Sequence, residues 1–121
     1  MKRDMDLVRR IALATANLEF GETLSELEGV DAYTFGEHVQ LMAEADLIDA
    51  QIAGGFPEPI AIVMRLTWAG NDFVDAVKDD ALWKRAMSKV VKSGASFTFE
   101  ILKEALKTEI TQGFPSLRGG A

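Results

Sequence analysis

The chain lacks cysteine altogether and contains a single histidine. The absence of cysteine excludes disulfide bonds, thiolate zinc sites and a cysteine nucleophile, and it is typical of a reducing compartment, so we expect a cytoplasmic protein. No apolar run approaches the roughly 18 residues that cross a membrane. The charged first six residues are not followed by an apolar signal-peptide core. We therefore expect neither a membrane segment nor a secretion signal.

Basic residues are scarce, and over a long stretch there are none. The chain has 13 Lys and Arg against 19 Asp and Glu, a net charge of -6 and a pI near 4.7. No Lys or Arg occurs within residues 11–64. Residues 1–60 carry 4 basic and 12 acidic side chains, whereas residues 61–121 carry 9 and 7. This balance argues against a protein that binds nucleic acid by general electrostatic attraction.

The composition that remains is that of one ordinary globular domain. Hydrophobic residues make up 48% and charged residues 26% of the 121 positions. We predict a single domain over residues 1–112 and a flexible tail over residues 113–121. Apolar spacing predicts helices over residues 5–18 and 34–46, a β-hairpin with strands at 48–52 and 60–66, and helices over 67–77, 79–93 and 98–110.

Several helix starts are marked by residues that favour the N-cap position. The capping-box spacing of Thr34 and Glu37 predicts that the second helix begins at Thr34. Thr23 and Glu26 share that spacing, but Gly29 follows closely, so residues 24–28 are either a short helix or a short strand. The candidate caps of the other helices are Asp4 or Asp6, Thr67, and Asp79 or Asp80.

The predicted order of helix, short element, helix, β-hairpin and helix is that of a winged-helix domain. In such a domain the helix before the hairpin is the recognition helix, and the hairpin is the wing. The predicted fold class is therefore α+β, a winged-helix-like domain with two additional C-terminal helices. Because residues 24–28 are about one turn shorter than the usual scaffold helix, the helix-turn-helix is expected to be degenerate.

Four stretches of the chain resemble one family. They are residues 1–7 (MKRDMDL), residues 38–48, the RLTW run at 65–68 with Gly70 and Phe73, and residues 99–103. Over residues 1 to about 110, the chain resembles domain of unknown function 2513, a family of small bacterial and phage proteins. The resemblance implies a winged-helix-like fold and a phage or prophage relation, and it implies no activity.

The predicted recognition helix carries side chains that do not suit DNA. A major-groove helix brings Arg, Lys, Asn or Gln to base edges, and a carboxylate near a phosphate adds repulsion. The helix instead offers Glu37, His38, Gln40, Glu44 and Asp46. We therefore predict contact with a protein partner through Glu37, His38 and Gln40. Phe56, at the hairpin tip where little core can bury it, is predicted to join them.

No residue pattern indicates a catalytic, cofactor or metal site. His38 has no second histidine or cysteine with which to bind a metal, so a structural or surface role is expected. Asp79 and Asp80 are adjacent, so they point in different directions on a helix. Trp68 and Trp83 lie among apolar residues at helical spacing and are expected in the core. We therefore predict a protein that is not an enzyme and that holds no cofactor or metal.

These observations predict a small accessory or regulatory protein that acts through protein–protein contacts with an unidentified partner. Changing Phe56 or Glu37 should then abolish partner binding. The alternative is a transcription regulator that binds DNA through the basic residues near the start of the chain or through the stripe of Arg85, Lys89 and Lys92. Arg85→Glu or Lys89→Glu should then weaken DNA binding. The acidic first half and the basic second half also predict a homodimer.

Overall fold

A computed structural model describes residues 3–55, 57–93 and 104–107. It contains helices and an antiparallel hairpin, which confirms the α+β class. The chain divides into two compact units, Met1–Asp75 and Ala76–Ala121. Residues 104–107 are helical, whereas the rest of the predicted last helix and the predicted tail over 113–121 lie outside the described residues. In order, the elements are α1 (Met5–Ala16), α2 (Ala32–Glu44), β1 (Ile48–Ala53), β2 (Ile60–Leu66), α3 (Trp68–Val77) and α4 (Asp80–Ser93).

Helix α1 begins at an aspartate cap, as predicted. The Asp4 carboxylate accepts hydrogen bonds from the backbone N–H groups of Asp6 (3.0 Å) and Leu7 (3.2 Å), which satisfies two free donors of the first turn. The helix ends at Ala16, two residues before the predicted end. Its inner side supplies much of the core of the first unit: Met5, Leu7, Val8, Ile11, Ala12 and Thr15.

Strands β1 and β2 form the predicted antiparallel hairpin. The register shifts once, because Asp49 pairs with Arg65 while Ala50 pairs with Val63. Met64 therefore has no partner on β1 and forms a β-bulge. A bulge turns the strand and redirects its side chains, which is why two neighbouring side chains of β2, those of Met64 and Arg65, are both exposed.

Leu24 forms an isolated β-bridge on the other side of β2. Its backbone N–H and carbonyl both bond to Val63, at 2.9 and 2.8 Å. Residues 24–28 contain no helix. Of the two predictions for this segment, the short helix is wrong, because the backbone bonds of Leu24 go to β2, and the short strand is reduced to a single bridge residue, Leu24.

Helix α2 begins earlier than the sequence predicts. Its N-cap is Asp31, whose carboxylate accepts hydrogen bonds from the backbone N–H (2.8 Å) and the hydroxyl (2.9 Å) of Thr34. The predicted capping box beginning at Thr34 is therefore wrong, because Thr34 already lies in the first turn. The helix ends at Glu44, and Asp46 then takes a left-handed φ of 61°. The buried side of α2 consists of Phe35, Gly36, His38, Val39 and Met42.

Thr67 and Gly70 build the corner between β2 and α3. The Thr67 hydroxyl oxygen accepts a hydrogen bond from the Gly70 N–H (3.0 Å), which confirms Thr67 as the cap, and the hydroxyl donates to the Asp46 carbonyl. The Thr67 N–H donates to the Leu47 carbonyl at 3.0 Å. A Cβ on Gly70 would lie 1.9 Å from that same carbonyl oxygen. Glycine is therefore required for α3 to approach the start of β1.

Of the two tryptophans, one lies where the sequence predicts. Trp83 on α4 is buried, with 3% of its surface exposed. Trp68 is 87% exposed, so its predicted core position is wrong. Trp68 is the first residue of α3. The approach of Gly70 to Leu47 turns the side of α3 that carries Gly70 toward the interior, and Trp68 lies on the other side.

Helix α4 belongs to the second unit and begins at a predicted cap. The Asp79 carboxylate accepts a hydrogen bond from the Leu82 N–H at 2.9 Å. The helix extends to Ser93, and the predicted stop at Gly94 lies outside the described residues. No helix in the described part of the chain is long and apolar enough to cross a membrane. The buried residues of α4 are Leu82, Trp83, Ala86 and Val90.

Candidate interaction surface on α2 and the hairpin

Helix α2 is fixed directly against the far end of the hairpin. A Cβ on Gly36 would lie 2.6 Å from Cγ of Pro59, which is buried just before β2. The absence of a side chain at Gly36 therefore allows the hairpin to lie against the first half of α2. The end of the hairpin at Pro59 consequently lies beside the first half of α2.

The exposed side of α2 carries a polar and acidic stripe. Tyr33, Glu37, Gln40 and Glu44 follow the i, i+4, i+7, i+11 spacing that places residues on one side of a helix. Glu37 is half-buried, whereas Gln40 and Glu44 are exposed and lie within hydrogen-bond distance of each other (3.5 Å). Tyr33 is 43% exposed. We call these four residues the α2 stripe.

Tyr33 is a member of the stripe that the sequence did not predict. Its spacing of seven residues from Gln40 was visible, but the predicted start of the helix at Thr34 excluded it. The true cap, Asp31, brings Tyr33 into the first turn. Glu37 and Gln40 lie on the predicted surface, so their predicted role remains open to a test.

His38 does not lie on this surface. Its side chain is 1% exposed, so its predicted contact with a partner is wrong and its structural role is confirmed. Nε2 accepts a hydrogen bond from the Asp4 N–H (2.9 Å), and Nδ1 lies 2.8 Å from the Thr34 carbonyl oxygen. Because a backbone N–H can only donate, Nε2 is unprotonated and Nδ1 donates to Thr34. His38 thereby links α2 to the cap of α1.

Phe56 lies outside the described residues. Its neighbours at the hairpin tip, Gly55, Pro57 and Glu58, are exposed. The tip therefore adds a further exposed carboxylate, that of Glu58, to the first unit.

The charge on this surface is of one sign. Residues 11–64 contain no Lys or Arg, so every charged side chain that α2 and the hairpin tip supply is a carboxylate. Arg65, at the other end of β2, forms an ion pair with Asp49 at 2.6 Å. The α2 stripe is therefore complementary to a partner surface that carries Lys or Arg side chains.

Asp31 shows the clearest electrostatic effect in the described residues. Hydrogen bonds from the Thr34 backbone N–H and then from the Thr34 hydroxyl lower the pKa of the Asp31 carboxyl from its ordinary value of 3.8. Both bonds favour the charged form, as does the positive end of the α2 dipole. Asp31 is therefore a charged cap and not a proton donor.

The predicted basic stripe lies in the second unit. Arg85 and Lys89 are exposed on α4, four residues apart, and Lys84 is exposed beside them. Lys92 also lies on α4, but its side chain is outside the described part of the structure. In the described residues no group of three His, Cys, Asp or Glu side chains could hold a metal ion.

The fold and this surface define an α+β protein in which the helix before a hairpin presents carboxylates. The chain belongs to the family described as Hypothetical protein (DUF2513), whose model matches residues 2–96, and this confirms the resemblance found in the sequence. It is similar to an uncharacterized protein of Haemophilus influenzae, with 28% identity over 115 residues that cover 93% of this chain and 98% of the relative. No solved structure matches the chain.

Proposed function

We propose that this chain is a non-enzymatic accessory or regulatory protein that binds a protein partner through the α2 stripe and the hairpin tip. One observation carries the proposal: the rigidly held helix before the hairpin exposes Tyr33, Glu37, Gln40 and Glu44 within a segment that has no Lys or Arg. Such a surface repels phosphates and complements the Lys and Arg side chains of a protein. The phage or prophage relation implied by the family resemblance belongs to the same proposal.

A winged-helix-like fold is supported by the order of the elements in the first unit. Helix α1 is followed by the Leu24 bridge, α2 and the hairpin, and Leu24 extends the sheet on the free side of β2. The scaffold helix that precedes a recognition helix has no counterpart in residues 24–28. In a DNA-binding domain that helix crosses the phosphate backbone. Its absence favours a different use for α2.

A DNA-binding regulator is the second candidate, and the exposed cations of α4 favour it. Arg85 and Lys89 are spaced so that they lie on one side of that helix. The net charge of -6 opposes it, because a negative protein approaches DNA against a repulsive field.

The acidic first half and the basic second half of the chain support a homodimer, because opposite charges on two copies attract each other.

Site-specific photo-crosslinking tests the proposal. A photoreactive residue is placed at Gln40, which is exposed in the middle of the stripe, and the full chain is expressed in bacterial cells. We expect a discrete adduct with another protein that falls at least about fivefold in Glu37→Lys, because a reversed charge at an interface opposes association. Glu26→Lys is the matched control, since Glu26 is an exposed carboxylate outside α2 and the hairpin, and it should leave the adduct unchanged. An adduct of equal yield in both variants, or no adduct, would contradict the proposal.

A further inference from the structure

A second surface of the first unit lies at the opposite end of β2 from the hairpin tip. The turn after α1, the last residues of β2 and the first turn of α3 enclose an open groove of about 510 Å³. Its lining includes Leu18, Phe20, Glu22, Met64, Arg65 and Asn71.

Phe20 lies at this groove in a turn that is closed by two hydrogen bonds between Glu19 and Glu22. The Glu22 N–H donates to the Glu19 carbonyl (2.9 Å), and the Glu22 carboxylate accepts from the Glu19 N–H (2.7 Å). Gly21, with a φ of 88°, takes the position where such a turn needs a left-handed residue. Phe20 occupies the corner and is fully exposed. Because the backbone beneath it is already ordered, burial of this ring in a partner would involve little loss of entropy.

One more exposed apolar side chain, that of Met64, lines the groove with Phe20, and Trp68 is exposed on the helix that contributes Asn71 to the groove. Met64 is the bulge residue of β2, and the bulge turns its side chain into the groove. Trp68 lies one turn before Asn71 on the same side of α3 and is 87% exposed. The Leu24 bridge to Val63 holds the turn next to β2. Exposed aromatic residues and a methionine on an ordered backbone are typical of the centre of a protein interface.

The charges around the groove restrict what can cover it. Glu19 and Glu22 flank Phe20, and Asp72 is exposed on α3 after Trp68. Arg65, the one cation among the lining residues, is paired with Asp49. Two such grooves facing each other would bring carboxylates together, which is unfavourable. The occupant must therefore combine an apolar side chain with cations.

We propose that the occupant is α4 of a second copy of this chain. Lys84 and Val91 are seven residues apart, so they lie on one side of α4, and Val91 is 71% exposed. This side offers an apolar group for Phe20 and Trp68 and a cation for Glu19. In a closed dimer the contact occurs twice, once in each direction. The proposal gives an interface to the homodimer proposed above and does not use the α2 stripe.

Sedimentation equilibrium of the full chain tests this interface. We expect a monomer–dimer equilibrium below about 200 µM and about tenfold weaker dimerisation in Phe20→Ser, as for the loss of a central aromatic anchor. Ile60→Ser is the matched control, because Ile60 is an exposed apolar residue at the other end of β2 and should leave the equilibrium unchanged.

A charge exchange makes the test specific for the two surfaces. Glu19→Lys and Lys84→Glu should each weaken the dimer several-fold, and the double variant should recover most of the loss, because both contacts then carry exchanged charges. A dimer that is insensitive to Phe20→Ser and is not restored in the double variant would overturn this interface and leave the homodimer standing. A chain that is monomeric throughout would overturn both. Neither result bears on the α2 stripe, which crosslinking at Gln40 tests.

Discussion

His38 connects two elements of the first unit through both of its ring nitrogens. One nitrogen accepts from the Asp4 N–H beside the cap of α1, and the other donates to the Thr34 carbonyl in the first turn of α2. The ring is buried, so water cannot replace either bond. His38 was a candidate for a functional site in the sequence, but both of its ring nitrogens form hydrogen bonds within the fold.

Replacing His38 with leucine should destabilise the protein while leaving its secondary structure intact. The side chains have similar size, but leucine leaves the Asp4 N–H without an acceptor, and we expect a loss of about 1–3 kcal/mol in the free energy of unfolding. Urea denaturation followed by circular dichroism measures it. Gln40→Leu, an exposed position on the same helix, should change stability by no more than about 0.5 kcal/mol. Equal stability of the two variants would contradict the role assigned to His38.

At the scale of elements, two glycines determine how helices approach the hairpin. Gly36 meets Pro59 and Gly70 meets the Leu47 carbonyl. Because glycine has no Cβ, the Pro59 ring can approach the backbone of α2 and the Leu47 carbonyl can approach the backbone of α3. Helix propensity alone would disfavour glycine inside α2 and α3.

Gly70→Ala separates helix propensity from packing. Alanine in a helix is favoured over glycine by about 1 kcal/mol, yet its Cβ would lie 1.9 Å from a backbone oxygen of Leu47. We expect the overlap to dominate and to destabilise the protein by about 1–3 kcal/mol or more, because backbone must move. Gly55→Ala is the control, since a Cβ there meets nothing within 4 Å. Thermal unfolding distinguishes them, and a Gly70→Ala variant as stable as wild type would contradict the corner described here.

The cap of α2 has a defined pH dependence. Because the folded pKa of Asp31 is lowered, its charged form stabilises the fold fully above its ordinary pKa of 3.8, and this contribution is lost as the pH falls through the lower folded value. Wild type should therefore exceed Asp31→Asn in urea midpoint at about pH 7, and the difference should shrink below about pH 4. Both proteins share all other carboxylates, so the comparison isolates Asp31. A difference that is constant with pH would contradict the charged cap.

Local signals in the sequence located most elements, and tertiary contacts account for the failures. Asp4, Thr67 and Asp79 were recognisable as caps because a cap acts within one turn. The start of α2 was misplaced because two residues, Asp31 and Thr34, both suit the cap position. The exposure of Trp68 could not be predicted, since it depends on the approach of α3 to Leu47, about 20 residues away in sequence.

At the scale of the whole molecule, the distribution of charge is the feature most directly linked to function. The sequence alone showed that residues 11–64 lack Lys and Arg. The structure adds that this segment contains α2 and most of the hairpin, which a winged-helix protein would turn toward DNA. The groove beside Phe20 was not predicted, because it depends on the Leu24 bridge and on the bulge at Met64.

The central claim is that the surface formed by α2 and the hairpin tip binds protein and not DNA. Fluorescence anisotropy of a labelled mixed-sequence duplex, titrated with the full chain at about 50 and 200 mM salt, tests it most directly, because binding through phosphates changes steeply over this range. We expect no binding at either concentration. Binding at low salt that is lost at high salt and that persists in Arg85→Glu would contradict it, whereas loss of that binding in Arg85→Glu would assign DNA binding to α4.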